Sequence, residues 1–181
     1  QIHLDLGHVG IYKALVAAAS LDASASEQIF KTLNTKSVTE YQILVKEHIK
    51  DSKLQAAFLC LLDMNGGTEV LDRAQDLKDV ADIAASLDNL KEICCAIKAR
   101  YPKVDIFLDL AELRGFDYHT GVVFAAYVAG HGQAVAQGGR YDDTGAVFGR
   151  SRAATGFSAD LKQWIQIIDN NASDVAAIFA P

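Results

Sequence analysis

Three short segments hold most of the residue types that could do chemistry. The first, Glu112-Leu113-Arg114-Gly115-Phe116-Asp117-Tyr118-His119-Thr120-Gly121, gathers a guanidinium, carboxylates, a phenol and an imidazole around a glycine. Such a set can hold a zwitterion: an Arg grips a carboxylate through two parallel hydrogen bonds, an Asp takes an ammonium, and rings flank the side chain. The same residues could instead pair with one another where a polar turn leads into a strand, and both readings stand. The second segment is Gln137-Gly138-Gly139-Arg140-Tyr141-Asp142. Its glycine pair either lets backbone approach a ligand closely or marks a plain turn or bulge. The third is Ala154-Thr155-Gly156-Phe157-Ser158-Ala159-Asp160-Leu161. His119 has no second ligand at metal spacing, so it reads as a hydrogen-bonded histidine and no metal site is expected.

The bulk of the chain limits what these segments can serve. Its 181 residues suffice for one well-buried domain. Half of them are apolar, 22% are charged, and the net charge is -6. That sign argues against nucleic acid as the main partner, because phosphate neutralisation needs a basic surface. Arg140, Arg150 and Arg152 lie close in sequence and read as a solvated loop. Cys60, in an apolar run, reads as a core residue, while Cys94 and Cys95 are adjacent and poorly placed to bridge to each other. Neither disulfides nor zinc is expected, which fits a reducing, cytoplasmic setting. Apolar runs such as residues 122–129 fall far short of the ~20 residues a membrane helix needs. The amino end has no signal-peptide pattern, and nothing suggests a bound cofactor.

The elements that must position the three segments follow from periodicity. Ile2, Leu4 and Leu6 alternate with His3 and Asp5, as in a half-buried strand. Residues 11–17 read as a helix. Ser24 with Glu27, and Ser37 with Glu40, match capping boxes before two more helices. A further helix spans about 52–63 and stops at Asn65-Gly66-Gly67, and another covers about 68–76. The clearest runs from about 79 to 100, with Ile83, Leu87, Leu90, Cys94 and Ile97 on one stripe and Pro102 beyond its end.

After Pro102 the period changes to that of strands: 104–108, 120–128, 133–137 after the turn Gly130-His131-Gly132, then 154–159. Gly138-Gly139 is expected to break the third of these. A helix over 160–169 follows, and 175–179 reads as a last strand. Regular β-α alternation is missing, so the class is α+β with an antiparallel sheet. An opening strand without a partner before it, and a closing one just begun, suggest a piece of a longer protein.

In this order and spacing the segments resemble histidyl-tRNA synthetase. Arg114-Gly115-Phe116-Asp117-Tyr118-His119-Thr120-Gly121 is similar to that family's R-G-L-D-Y-Y-T-G signature, and Gly138-Gly139-Arg140-Tyr141-Asp142 to its G-G-R-Y-D signature. Gly156-Phe157 resembles the start of its third class II motif, G-F-x-x-G-L-E-R. The resemblance implies a partial class II aminoacyl-tRNA synthetase-like core over residues 1–181 with a helical insertion at about 21–78. It also implies a histidine pocket, here a remnant formed by Arg114, Tyr118, His119, Gly138, Gly139, Arg140 and Tyr141. Arg114 would take the carboxylate, Tyr118 the ring, and the glycines with Arg140 would close the wall.

Two departures alter the implied function. The motif's glycine becomes Asp160 and its phosphate-binding arginine becomes Gln163. An amide cannot supply the charged fork that phosphates need, and an acid nearby is unfavourable to them. The second tyrosine of the signature is His119, and strand alternation would set Tyr118 and His119 on opposite faces unless the backbone is irregular there. With the ATP motif damaged, the chain resembles the family of ATP phosphoribosyltransferase regulatory subunits. His3-Leu4-Asp5-Leu6-Gly7-His8-Val9-Gly10 and Phe148-Gly149-Arg150 are also similar to that family. It implies a non-catalytic role beside a short catalytic subunit, self-association through the class II core, and histidine as a candidate ligand. A divergent synthetase is the alternative.

Overall fold

The computed structural model describes residues 1–79 and 83–169, so the strand expected over 175–179 lies outside the described residues. The chain starts with β1 (Ile2–His8) and continues through α1 (Val9–Ala18), α2 (Ala23–Asn34), α3 (Val38–His48) and α4 (Ser52–Cys60). A two-residue strand β2 (Asn65–Gly66), α5 (Val70–Arg73) and α6 (Ile83–Arg100) precede β3 (Asp105–Asp109). The remainder is β4 (Val122–Val128), β5 (Ala136–Arg140), β6 (Thr155–Ala159) and α7 (Leu161–Asp169). The six strands form one sheet in the order β2-β3-β1-β4-β5-β6. The architecture is α+β, and most pairings are antiparallel.

β1 finds both of its partners later in the chain. It lies between β3 and β4, parallel to the first and antiparallel to the second. A parallel pair cannot be joined by a hairpin and needs a long crossover. Here that crossover is the helical block, whose apolar faces cover one side of the sheet. On that side Leu6, Ile106 and Leu108 meet Tyr12, Leu15, Ile29, Phe58, Ile83 and Leu90, all buried. Alternation along β3, with Ile106 and Leu108 buried while Asp105 and Phe107 are exposed, shows the period-2 rule at work.

The helix starts correct the sequence reading in detail. α2 is capped by Asp22, whose carboxylate accepts from the Ala25 amide at 2.8 Å, so Ser24 falls inside the first turn. A carboxylate at the positive end of the helix outcompetes a hydroxyl two residues later. Ser37 does precede α3 but makes no side-chain cap, and its hydroxyl instead pairs with that of Thr35. Gly138-Gly139 does not break β5. Both glycines lie within it because β4 and β6 pair with it on its two edges.

His8 closes β1 and caps α1. Its Nδ1 accepts from the Gly10 amide at 3.1 Å, which requires an unprotonated nitrogen. Burial, and secondarily the Arg140 guanidinium, lower its pKa from 6.5 to about 4. The unfolded chain therefore takes up a proton below pH ~6.5 that the folded one refuses until about 4. Folding stability should fall across that window, by on the order of 3 kcal/mol in total. Denaturant titrations between pH 7 and 4 should show it, and His8→Gln should flatten the dependence relative to wild type.

Candidate functional site

The face of the sheet turned away from the helices carries the site. Residues paired directly across strands share a face, and two rows of them make a floor. Asp5, Ala125, Gln137 and Ser158 form one row. Gly7, Val123, Gly139 and Gly156 form the next. The second row is bare at three of its four positions, and a side chain from a loop lies over each gap. A Cβ on Gly7 would meet Glu112 Cβ at 2.5 Å, and one on Gly139 would meet His119 Cδ2 at 2.6 Å. One on Gly156 would collide with the hydroxyl of Tyr141. The absent side chains let Glu112, His119 and Tyr141 come close against the strands, an approach that a Cβ at these positions would block.

The signature loop that supplies Arg114, Tyr118 and His119 is a turn and not the start of a strand. Gly115 sits at φ +64, the left-handed region that glycine tolerates. Its carbonyl accepts from both the Tyr118 and His119 amides, at 2.9 and 2.8 Å. The turn frees Tyr118 and His119 from strand alternation, and both face one cavity of about 450 Å³. Tyr118 stands edge-on to His119 with centroids 5.4 Å apart and tilts against Tyr141 at 5.0 Å, so three rings form a continuous wall.

Of the residues expected in the pocket, Arg114, Tyr118, His119, Gly138 and Tyr141 line the cavity. Gly139 is buried on the same face, under the His119 ring, and is floor beneath a wall residue. Arg140 is corrected: alternation turns it to the other face, where its stem lies against Gly121. Its Nε donates to Asp142 Oδ2 at 2.7 Å. Asp142 in turn accepts from the Ala154 amide, and its own amide donates to Thr120 Oγ1. The hydrogen bond from Arg140 is the main reason the Asp142 carboxyl titrates below its usual range. Arg140 therefore ties the loop that carries Tyr141 rather than touching the cavity.

Asp5 and Glu112 are the charged lining residues absent from the pocket expected from sequence. Glu112 receives the Arg114 Nη2 at 2.9 Å, while Nη1 donates to the Tyr127 hydroxyl at 3.3 Å. Asp5 makes no ion pair among the described residues, and burial outweighs the attraction of Arg114 to raise its pKa. With Glu112 paired to Arg114, Asp5 stands as a surplus negative charge on the cavity floor. The charge pattern suits a ligand with both an ammonium and a carboxylate.

The third segment shapes the far rim. Gly156, Phe157 and Ser158 line the cavity from β6. Asp160 caps α7, its Oδ1 accepting from the Lys162 amide at 2.9 Å and the Gln163 amide at 3.4 Å. Its charge is thereby committed to a helix start. Gln163 carries a buried Oε1 that has no hydrogen-bond partner among the described residues. The described residues hold no group of three or more His, Cys, Asp or Glu able to bind a metal, and no helix long and apolar enough to cross a membrane.

The fold and this arrangement of signatures define a class II synthetase-like protein. Residues 1–164 match the family model described as histidyl-tRNA synthetase, and the chain belongs to that family. More particularly, it is 48% identical over 164 residues to the ATP phosphoribosyltransferase regulatory subunit of Chromohalobacter salexigens, covering 90% of this chain and 42% of that protein. The chain thus spans less than half the length of that relative. A structure described as an ATP phosphoribosyltransferase regulatory subunit/histidyl-tRNA synthetase from Bacillus halodurans has the same fold, with TM-score 0.77 and 24% identity over 92% of this chain and 44% of that one. A chain of the ATP phosphoribosyl transferase complex of Thermotoga maritima is similar at TM-score 0.62 and 21% identity, covering 80% of this chain and 50% of its own.

Proposed function

We propose that the protein is a non-catalytic regulatory subunit of ATP phosphoribosyltransferase, required for the activity of a short-form catalytic subunit and for its feedback by histidine. The observation that carries this reading is the third motif. Where ATP phosphates would need a cation, Gln163 offers an amide and Asp160 is spent on capping a helix. The 48% identity to a protein named as that regulatory subunit supports it. The subunit associates with itself through its class II core and acts in the cytoplasm, without nucleic acid or cofactor.

Histidine fits the cavity by charge and shape: Arg114 for its carboxylate, Asp5 for its ammonium, and the rings of Tyr118, His119 and Tyr141 for its imidazole. Regulation is then a population shift, in which the subunit favours an active state of the catalytic partner and histidine opposes it. Mixing the complete protein with the catalytic subunit should raise turnover severalfold and confer inhibition by histidine. An unchanged rate with unchanged histidine response would end this proposal. Histidine-dependent ATP–pyrophosphate exchange by the protein alone would instead identify a working synthetase.

A further inference from the structure

The turn that carries Arg114, Tyr118 and His119 lies outside the sheet ladder, and something must hold it. One side of it faces the cavity. Its other side rests on the helical block through Lys13, a half-buried residue of α1. Lys13 Nζ donates to the His119 carbonyl at 2.8 Å and stands 5.2 Å from the centre of the Phe116 ring. Phe116 packs on Tyr12 of α1 at 5.4 Å and on Phe30 of α2 at 5.0 Å. One ammonium therefore grips both the last residue of the turn and the ring at its middle.

We propose that Lys13 is a positioning residue for the ligand cavity, setting the His119 and Tyr118 rings from behind; this rests on the reading of the cavity as a histidine site. Three physical points support it. The His119 carbonyl precedes the start of β4 at Val122, so the ladder provides it no donor, and an unpaired carbonyl in a half-buried turn is costly. An ammonium can donate to a carbonyl while its full charge is attracted to an aromatic face, an attraction a neutral donor makes only weakly. Walls that are not themselves on strands hold their geometry only if packing and hydrogen bonds behind them do so. Lys13 does not itself line the cavity, so its influence passes through His119 and Phe116.

The position of its effect distinguishes it from a residue that merely stabilises the fold. The Arg114 guanidinium is held by Glu112 and Tyr127, and Asp5 lies on β1, contacts in which Lys13 takes no part, whereas the Tyr118 and His119 rings sit on the backbone that Lys13 grips. Lys13→Met should weaken histidine binding tenfold or more, measured by calorimetry on the complete protein. β-(2-thienyl)alanine, which keeps the charged ends but lacks the ring nitrogens, should lose less, so the preference for histidine over it should shrink. Lys13→Arg should bind histidine within threefold of wild type. Nitrogen-15 shifts of the His119 ring, recorded without ligand, should move in Lys13→Met and return in Lys13→Arg.

Equal histidine affinity in Lys13→Met and wild type would overturn the proposal. So would equal losses for both amino acids, or a failure of Lys13→Arg to rescue. If Lys13→Met does not fold, Lys13→Gln, whose amide stops short of the carbonyl, is read by the same criteria. If the wild type binds no histidine, the pocket reading fails, and the His119 ring shifts alone decide whether Lys13 positions the wall.

Discussion

Tyr12→Ala is expected to destabilise the protein by about 3–5 kcal/mol, the range for removing a large buried aromatic side chain. Tyr12 is fully buried, and its ring meets Phe30, Phe58 and Phe116 edge-on, with centroids 5.4 to 6.2 Å apart. Each contact belongs to a different part of the chain: α2, α4 and the signature turn. Its hydroxyl donates to the Ser26 carbonyl at 2.9 Å, and burial raises its pKa, so the phenol stays protonated. Urea unfolding should show a lower midpoint with an unchanged slope. Tyr12→Phe isolates the hydroxyl: it keeps the ring contacts and leaves the Ser26 carbonyl to its partner within α2, a loss of about 0.5–1.5 kcal/mol. If Tyr12→Ala unfolds with the wild-type midpoint, the four segments are not joined through this ring.

The same residue shows what could be read from the sequence and what could not. The helix over residues 11–17, the stripe of Ile83, Leu87, Leu90 and Cys94, and the change to strand period after Pro102 are local patterns. Each appears in the structure because burial of one face decides the conformation. Tyr12 as the hub of three aromatic contacts was invisible, since its partners are 18, 46 and 104 positions away. Cross-strand register was equally hidden. Register puts Gly7, Gly139 and Gly156 in one bare row, and the turn folded over it brings Arg114 to the same cavity as Asp5, 109 positions earlier.

Arg114, Tyr118, His119, Gly138 and Tyr141 were legible because they sit in contiguous polar signatures. Arg140 misled by adjacency, as neighbours on a strand point to opposite faces. The alternation of Ile2, Leu4 and Leu6 did hold a signal for Asp5. It placed that carboxylate on the face opposite the core, the face where the cavity lies.

Arg114→Ala should weaken histidine binding by roughly 10- to 150-fold, the loss of a charge-assisted hydrogen-bonded contact worth about 1.5–3 kcal/mol. The sign of a second measurement makes this specific. Arg114 now neutralises Glu112 at 2.9 Å. Without it Glu112 and Asp5 leave two uncompensated carboxylates facing the cavity, which repel a ligand carboxylate and attract a cation. Histamine, which carries the ammonium and imidazole of histidine without its carboxylate, should bind the variant at least as tightly as it binds wild type. Calorimetry with both ligands would therefore show opposite responses to one substitution. A collapsed pocket would lose both, and a pocket that does not use Arg114 would lose neither. Only a site in which this guanidinium both offsets Glu112 and meets a ligand's carboxylate separates the two.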